Sequence, residues 1–273
     1  MSGFSDVLMI APVLVKTLMW MSAVICAGGA LAGVLFGLPV LRLGQRIAAI
    51  SGAVMCFLSF GVSAAVLTGN WDGALIPGIA GLLWESGPGR GLALTAAAFL
   101  SFLHCSALKW LVLVKCLVLL LVLTSLSHLS GPVTGLLFLH LAMAMIWTGA
   151  ILPFLLGVNT SDIQMAATRF GRLAPLLLVT LFLAGGILTF LKIQGQIAIV
   201  PTTGWGQALI VKLGLVGVAA LIGARNKYKI VPKLETPDGA SLRAFRAAMR
   251  ADVLIFIAIL LVSAWLSTGA ELE

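Results

Sequence analysis

Charge is scarce in this sequence. Asp, Glu, Lys and Arg make up only 10% of its 273 residues, and the acidic ones number nine. A soluble domain carries about 25% charged residues, so a single water-facing globule does not account for the chain. Tyrosine occurs once and histidine three times. The four cysteines, Cys26, Cys56, Cys105 and Cys116, lie in apolar segments without CxxC spacing, which removes a small disulfide scaffold from consideration. No phosphate-binding loop, nucleophile–base set or paired catalytic carboxylates can be found, which argues against an ATP-driven pump. A transporter or metal-binding membrane protein therefore stands ahead of an enzyme. The N-terminus has no basic region, Asp6 comes early, and the apolar stretch from Val7 is too long for a cleavable signal.

Apolar residues are what the chain has in quantity. They form 61% of the sequence, and the mean hydropathy is +1.15. A helix needs about 20 apolar residues to cross the hydrocarbon. Uncharged runs place spans at Thr17–Leu41, Ile47–Asn70, Gly91–Leu108, Leu173–Leu191 and Val253–Ala270, with one more at Gly206–Ala224 containing Lys212. The run Cys116–Ser161 holds two helices, broken at Ser127-His128-Leu129-Ser130-Gly131-Pro132, where Gly-Pro signals a turn and Pro132 can open the next helix. The expectation is an all-α polytopic membrane protein of eight transmembrane helices.

In a soluble protein a net charge of +8 would suggest nucleic acid; in a membrane protein it marks cytoplasmic loops, and no nucleic-acid partner is expected. With the N-terminus outside, the inner ends collect Arg42, Arg46, Lys109, Lys115, Arg169, Arg172, Arg225, Lys227, Lys229, Lys233, Arg243, Arg246 and Arg250. The outer side keeps Lys16, Arg90, Lys192 and Lys212. Both termini then face the periplasm. The basic cytoplasmic loop 225–252 reads as an orientation signal meeting anionic membrane lipid. Trp71, Trp84, Trp110 and Trp205 near span ends read as interfacial anchors, and the outer segment 71–90 as a short cap.

The chain also echoes itself. Gly89-Arg90-Gly91-Leu92-Ala93-Leu94 opens the third helix and Gly204-Trp205-Gly206-Gln207-Ala208-Leu209 the seventh; Met19 stands nine residues before Gly28, and His140 nine before Gly149. Ser130-Gly131 and Thr268-Gly269 close the fourth and eighth helices. Two parallel four-helix repeats follow, residues 1–130 and 131–273, related by an axis along the membrane normal.

Ligating groups inside a bilayer are costly and default to functional candidates. His140 lies about two turns into the fifth helix, roughly 10 Å deep at 1.5 Å per residue. Met143 and Trp147 share its face. A neutral imidazole beside a thioether suits copper, above all Cu(I); the alternative is that Met143 and Trp147 pack and His140 hydrogen-bonds a neighbouring helix. His104, Cys105 and Cys116 lie near inner helix ends and make an inward path for a soft cation, or else fill the core. His128 sits on the outer turn, where a histidine is ordinarily solvated. Met1 and Met9 would add soft ligands on that side.

The second half carries a wider pattern. It comprises Ser127-His128-Leu129, Leu139-His140-Leu141 with Trp147 and Gly149, Arg169-Phe170, then Thr203-Gly204-Trp205-Gly206-Gln207-Ala208-Leu209 leading to Lys212, Asn226-Lys227-Tyr228 and Val231-Pro232. In this order the sequence resembles the CopD family of bacterial inner-membrane copper proteins. The resemblance implies a role in copper uptake, homeostasis or resistance beside a periplasmic copper-binding partner, and a ligand role for His128. It departs from the family at Met19, where a histidine is usual, and at Asp252, where glutamate is usual. The expected metal ligands are thus His140, His128, Met19 and Met143. The alternative is a b-type haem protein in electron transfer, such as a quinol-linked copper reductase, with His140 and Met19 as axial ligands on facing helices at matched depth.

Overall fold

The computed structural model describes residues 2–104, 108–127, 131–156, 162–234 and 239–268, with side chains from Met9 onward. Among these residues every regular element is helical. Helix α1 runs through Ser2–Ala23, a π-helical stretch Val24–Gly28, and Gly29–Phe36. It is followed by α2 (Arg42–Thr68), α3 (Pro88–Leu103), α4 (Lys109–Ser125), α5 (Pro132–Leu156), α6 (Ile163–Lys192), α7 (Gly204–Leu234) and α8 (Gly239–Thr268). Among the described residues, six helices are long and apolar enough to cross a membrane: Met9–Phe36 within α1, and α2, α5, α6, α7 and α8. The sequence reads eight spans. The difference lies at α3, which tightens into a 3₁₀ turn at Ser101–Leu103, and at α4, which has 17 residues and carries Lys109 and Lys115.

Local chemistry sets the ends. Gly37 and Gly69 close α1 and α2 in the left-handed region, φ 75° and 66°, which glycine alone enters without strain. Pro132 stands in the first turn of α5, as its missing N–H allows. Thr203 caps α7, its hydroxyl accepting from the Gly206 N–H at 3.1 Å. Helix α1 starts well before Thr17, because Lys16 does not interrupt it: the ammonium sits 5.5 Å from the Trp20 ring centroid.

Large apolar side chains such as Leu43, Phe57, Leu183, Leu221 and Leu254 stand exposed around the bundle. In a chain of this composition that surface meets lipid, and this is a multi-pass membrane protein. Half of the apolar window of α1 is buried, against 28% or less in the other spans, so α1 is the central helix. It packs on α2, α4, α5 and α8, while α5 packs on α1, α4, α6 and α8. Small residues let the backbones approach: Ala23, Ala27 and Ala30 of α1 join Ala49 and Ala53 of α2 in one buried cluster. A second cluster joins Trp147, Phe154, Phe245 and Phe256 across α5 and α8. The segment after α2 folds as a 3₁₀ turn, Trp71–Leu75, and a short helix, Ile79–Glu85, lying against the ends of α2 and α3.

Two basic side chains tie helix ends together. The Arg169 guanidinium reaches Gly37, and the Lys227 stem lies along Gly171, joining the α1–α2 turn, α6 and α7. Trp205 differs from the anchor expected of it: at 5% exposure it is buried with Ile193 and Leu266, the Lys192 ammonium 5.4 Å from its ring. Trp71, Trp84 and Trp110 are exposed.

Candidate metal centre

His140 faces α6. Its Nδ1 lies 3.1 Å from the Leu181 carbonyl oxygen. A carbonyl can only accept, so Nδ1 carries the proton and donates it. In the neutral ring Nε2 then holds the lone pair, the arrangement in which metal-binding histidines are usually fixed by a backbone acceptor. Gly185 makes the approach possible, since a Cβ there would stand 2.9 Å from His140 Cε1. Lys212 of α7 lies within electrostatic range of the imidazole. Helices α5 and α6 meet at this half-buried histidine.

The neighbours on α5 have packing roles. Met143 lies between the two large apolar clusters and touches both. Trp147 meets Phe256 of α8 edge-on, ring centroids 5.5 Å apart. Met19 is buried in α1, and its Sδ lies 3.9 Å from Cys56 Sγ of α2. The Met19 sulfur and the His140 ring thus turn to α2 and α6 respectively, each to the next helix in its own half of the chain.

The inner residues separate. Cys116 is fully buried in α4 and directs its thiol at the Ala27 carbonyl, 3.6 Å away. His104 stands exposed at the end of α3, its carbonyl accepting from Lys115 Nζ at 2.7 Å. His128 and Cys105 lie outside the described residues. Among the described residues, no three His, Cys, Asp or Glu side chains gather as a metal-holding group.

Sequence reasoning gave little weight to one polar feature. Asn226, in the π-helical stretch Asn226–Ile230 of α7, and Asp252 of α8 are 5% and 6% exposed. Among the described residues, both polar atoms of the Asn226 amide and Oδ1 of Asp252 find no hydrogen-bond partner. The two residues belong to elements in contact. Buried polar atoms without partners are costly, and π-helical stretches concentrate at functional places. The sequence signal was available: a carboxylate and an amide at apolar-helix positions, both within the segment that shaped the family resemblance.

Residues 164–266, spanning most of α6, α7 and α8, match the family model described as Copper resistance protein D. Over these residues the chain is similar to that family. The matched stretch contains Lys212, Asn226 and Asp252, together with the Leu181 carbonyl and Gly185 that hold His140, while His140 itself precedes it. No curated protein and no solved structure matches the chain. The CopD match links this membrane protein to copper resistance.

Proposed function

We propose that this protein passes copper inward across the bacterial inner membrane, taking it from a periplasmic copper-binding protein. The observation that carries this reading is the His140–Leu181 hydrogen bond, which leaves Nε2 as a lone-pair donor beside the CopD region. Neutral imidazole suits copper among the first-row metals. His128 at the outer mouth would receive the ion, and His140, Met19 and Met143 would handle it inside the membrane. The clustering of basic helix ends around Gly37, Gly171, Arg169 and Lys227 supports a cytoplasmic placement for that side, with both termini periplasmic.

The helix contacts also favour the duplication. Exchanging α1–α4 with α5–α8 turns the α1–α2 contact into α5–α6, α3–α4 into α7–α8, and α1–α8 into α5–α4, all of them present. On this reading α3 and α4 complete the eight spans by crossing with their flanking turns. The haem alternative is less well served. Met19 and His140 make their contacts within their own halves, and α1 and α5 close upon each other at Gly28 and Gly149, nine residues from each.

The test is copper accumulation in cells making the full chain. His140→Asn keeps an amide donor for the Leu181 carbonyl but removes the Nε2 lone pair. Accumulation should fall to the level of cells without the protein. Unchanged accumulation at equal expression would remove His140 from the pathway, and export in place of uptake would reverse the direction.

A further inference from the structure

The first half holds three described cysteines, all fully buried, and their surroundings are not equivalent. Cys26 directs its thiol at the Gln45 carbonyl, 3.5 Å away, while the Gln45 amide donates back to the Cys26 carbonyl at 3.2 Å. Cys116 directs its thiol at the Ala27 carbonyl. These are thiols used as weak donors that satisfy backbone oxygens between helices. Cys56 is different: among the described residues its sulfur turns to another sulfur, Met19 Sδ, at 3.9 Å. A thioether is a weak acceptor, so hydrogen bonding gives little reason for that pairing.

Soft-metal chemistry gives a better one. We propose that Met19 and Cys56 together bind one Cu(I) ion between α1 and α2. The inference rests on the copper reading above but names a sulfur site in the half of the chain that the CopD match leaves uncovered. Metal–sulfur bonds of about 2.3 Å from two sulfurs 3.9 Å apart meet at an angle of roughly 115°, an angle open enough for a low-coordinate ion. Thiolate with thioether is the donor set that selects Cu(I) over harder ions. Binding replaces the S–H bond of Cys56 by a Cu–S bond and releases one proton to water; Met19 adds a lone pair, and no electron is transferred. Both residues are at most 4% exposed, so the ion would be shielded from water and oxidant. One π-helical stretch of α1 begins five residues after Met19, where the backbone can adjust as the ion enters.

The experiment titrates full-length protein, purified in detergent without oxygen, with Cu(I) against a chromophoric Cu(I) chelator, and records copper X-ray absorption of the loaded protein. The wild type should hold copper with sulfur in its first shell. Cys56→Ser and Met19→Leu should each weaken this binding at least tenfold and reduce the sulfur signal, with thermal unfolding confirming that both variants fold. Cys26→Ala and Cys116→Ala, which alter thiols bonded to carbonyls, should leave it within twofold. Wild-type affinity and sulfur signal in both Cys56→Ser and Met19→Leu would overturn the sulfur site while leaving the copper reading standing. Absence of any Cu(I) binding by the wild type would overturn both. Where Cys56→Ser fails to fold, Met19→Leu decides, since it keeps an apolar side chain of similar size.

Discussion

Gly28 of α1 and Gly149 of α5 meet backbone to backbone. A Cβ on Gly149 would stand 2.1 Å from the carbonyl carbon of Gly28 and 2.4 Å from its Cα, and a Cβ on Gly28 would stand 2.5 Å from the Met145 oxygen. Neither neighbour is a flexible side chain, so no rotamer change relieves the overlap. The contact sits at the end of the π-helical stretch of α1 and just before α5 is interrupted at Ala150. It fixes the spacing of the two central helices.

Gly149→Ala should therefore push α1 and α5 apart and destabilise the protein by about 1–3 kcal/mol, the usual cost of overpacking. Gly217→Ala on α7, where a Cβ meets nothing within 4 Å, should be neutral or stabilising by up to about 1 kcal/mol through helix propensity. Thermal unfolding in detergent compares the two. Equal midpoints would show that the contact is looser than its geometry.

Orientation gives a second prediction. In a background where the native cysteines are replaced, Lys233→Cys should react with a membrane-impermeant maleimide only after the inner face is opened. Asp72→Cys on the segment after α2 should react in intact spheroplasts. The reverse pattern would invert the topology.

Asp252 supplies a third. Its Oδ1 has no donor, and a buried polar atom left unsatisfied costs about 1–3 kcal/mol. Asp252→Asn removes a buried carboxylate and should leave thermal stability equal or higher while lowering copper accumulation. A clear loss of stability would show instead that the carboxylate is an essential structural partner of the π-helical stretch of α7.

Much of the fold was legible because membrane helices are governed by length and polarity. The helix start at Pro132 and the span carrying Lys212 could both be read from local residues. What could not be read depends on tertiary contact. Lys16 looks like the end of a span until its stem is seen along Trp20, and Trp205 looks like an anchor until Ile193 and Leu266 bury it. The two π-helical stretches have no periodic signature. His140, Met143 and Trp147 share a face in sequence, but the sequence does not show that the histidine hydrogen-bonds α6, where Gly185 clears a space for its ring. The pairing of Met19 with Cys56 crosses 37 positions and leaves no local trace.

Metal content and the optical spectrum of the purified protein test the central claim most directly. The account predicts that protein loaded with Cu(I) under anaerobic conditions retains copper after desalting, loses part of it in His140→Asn, and shows no Soret band as isolated. Protein that retains no copper, or that carries one haem per chain, would contradict it.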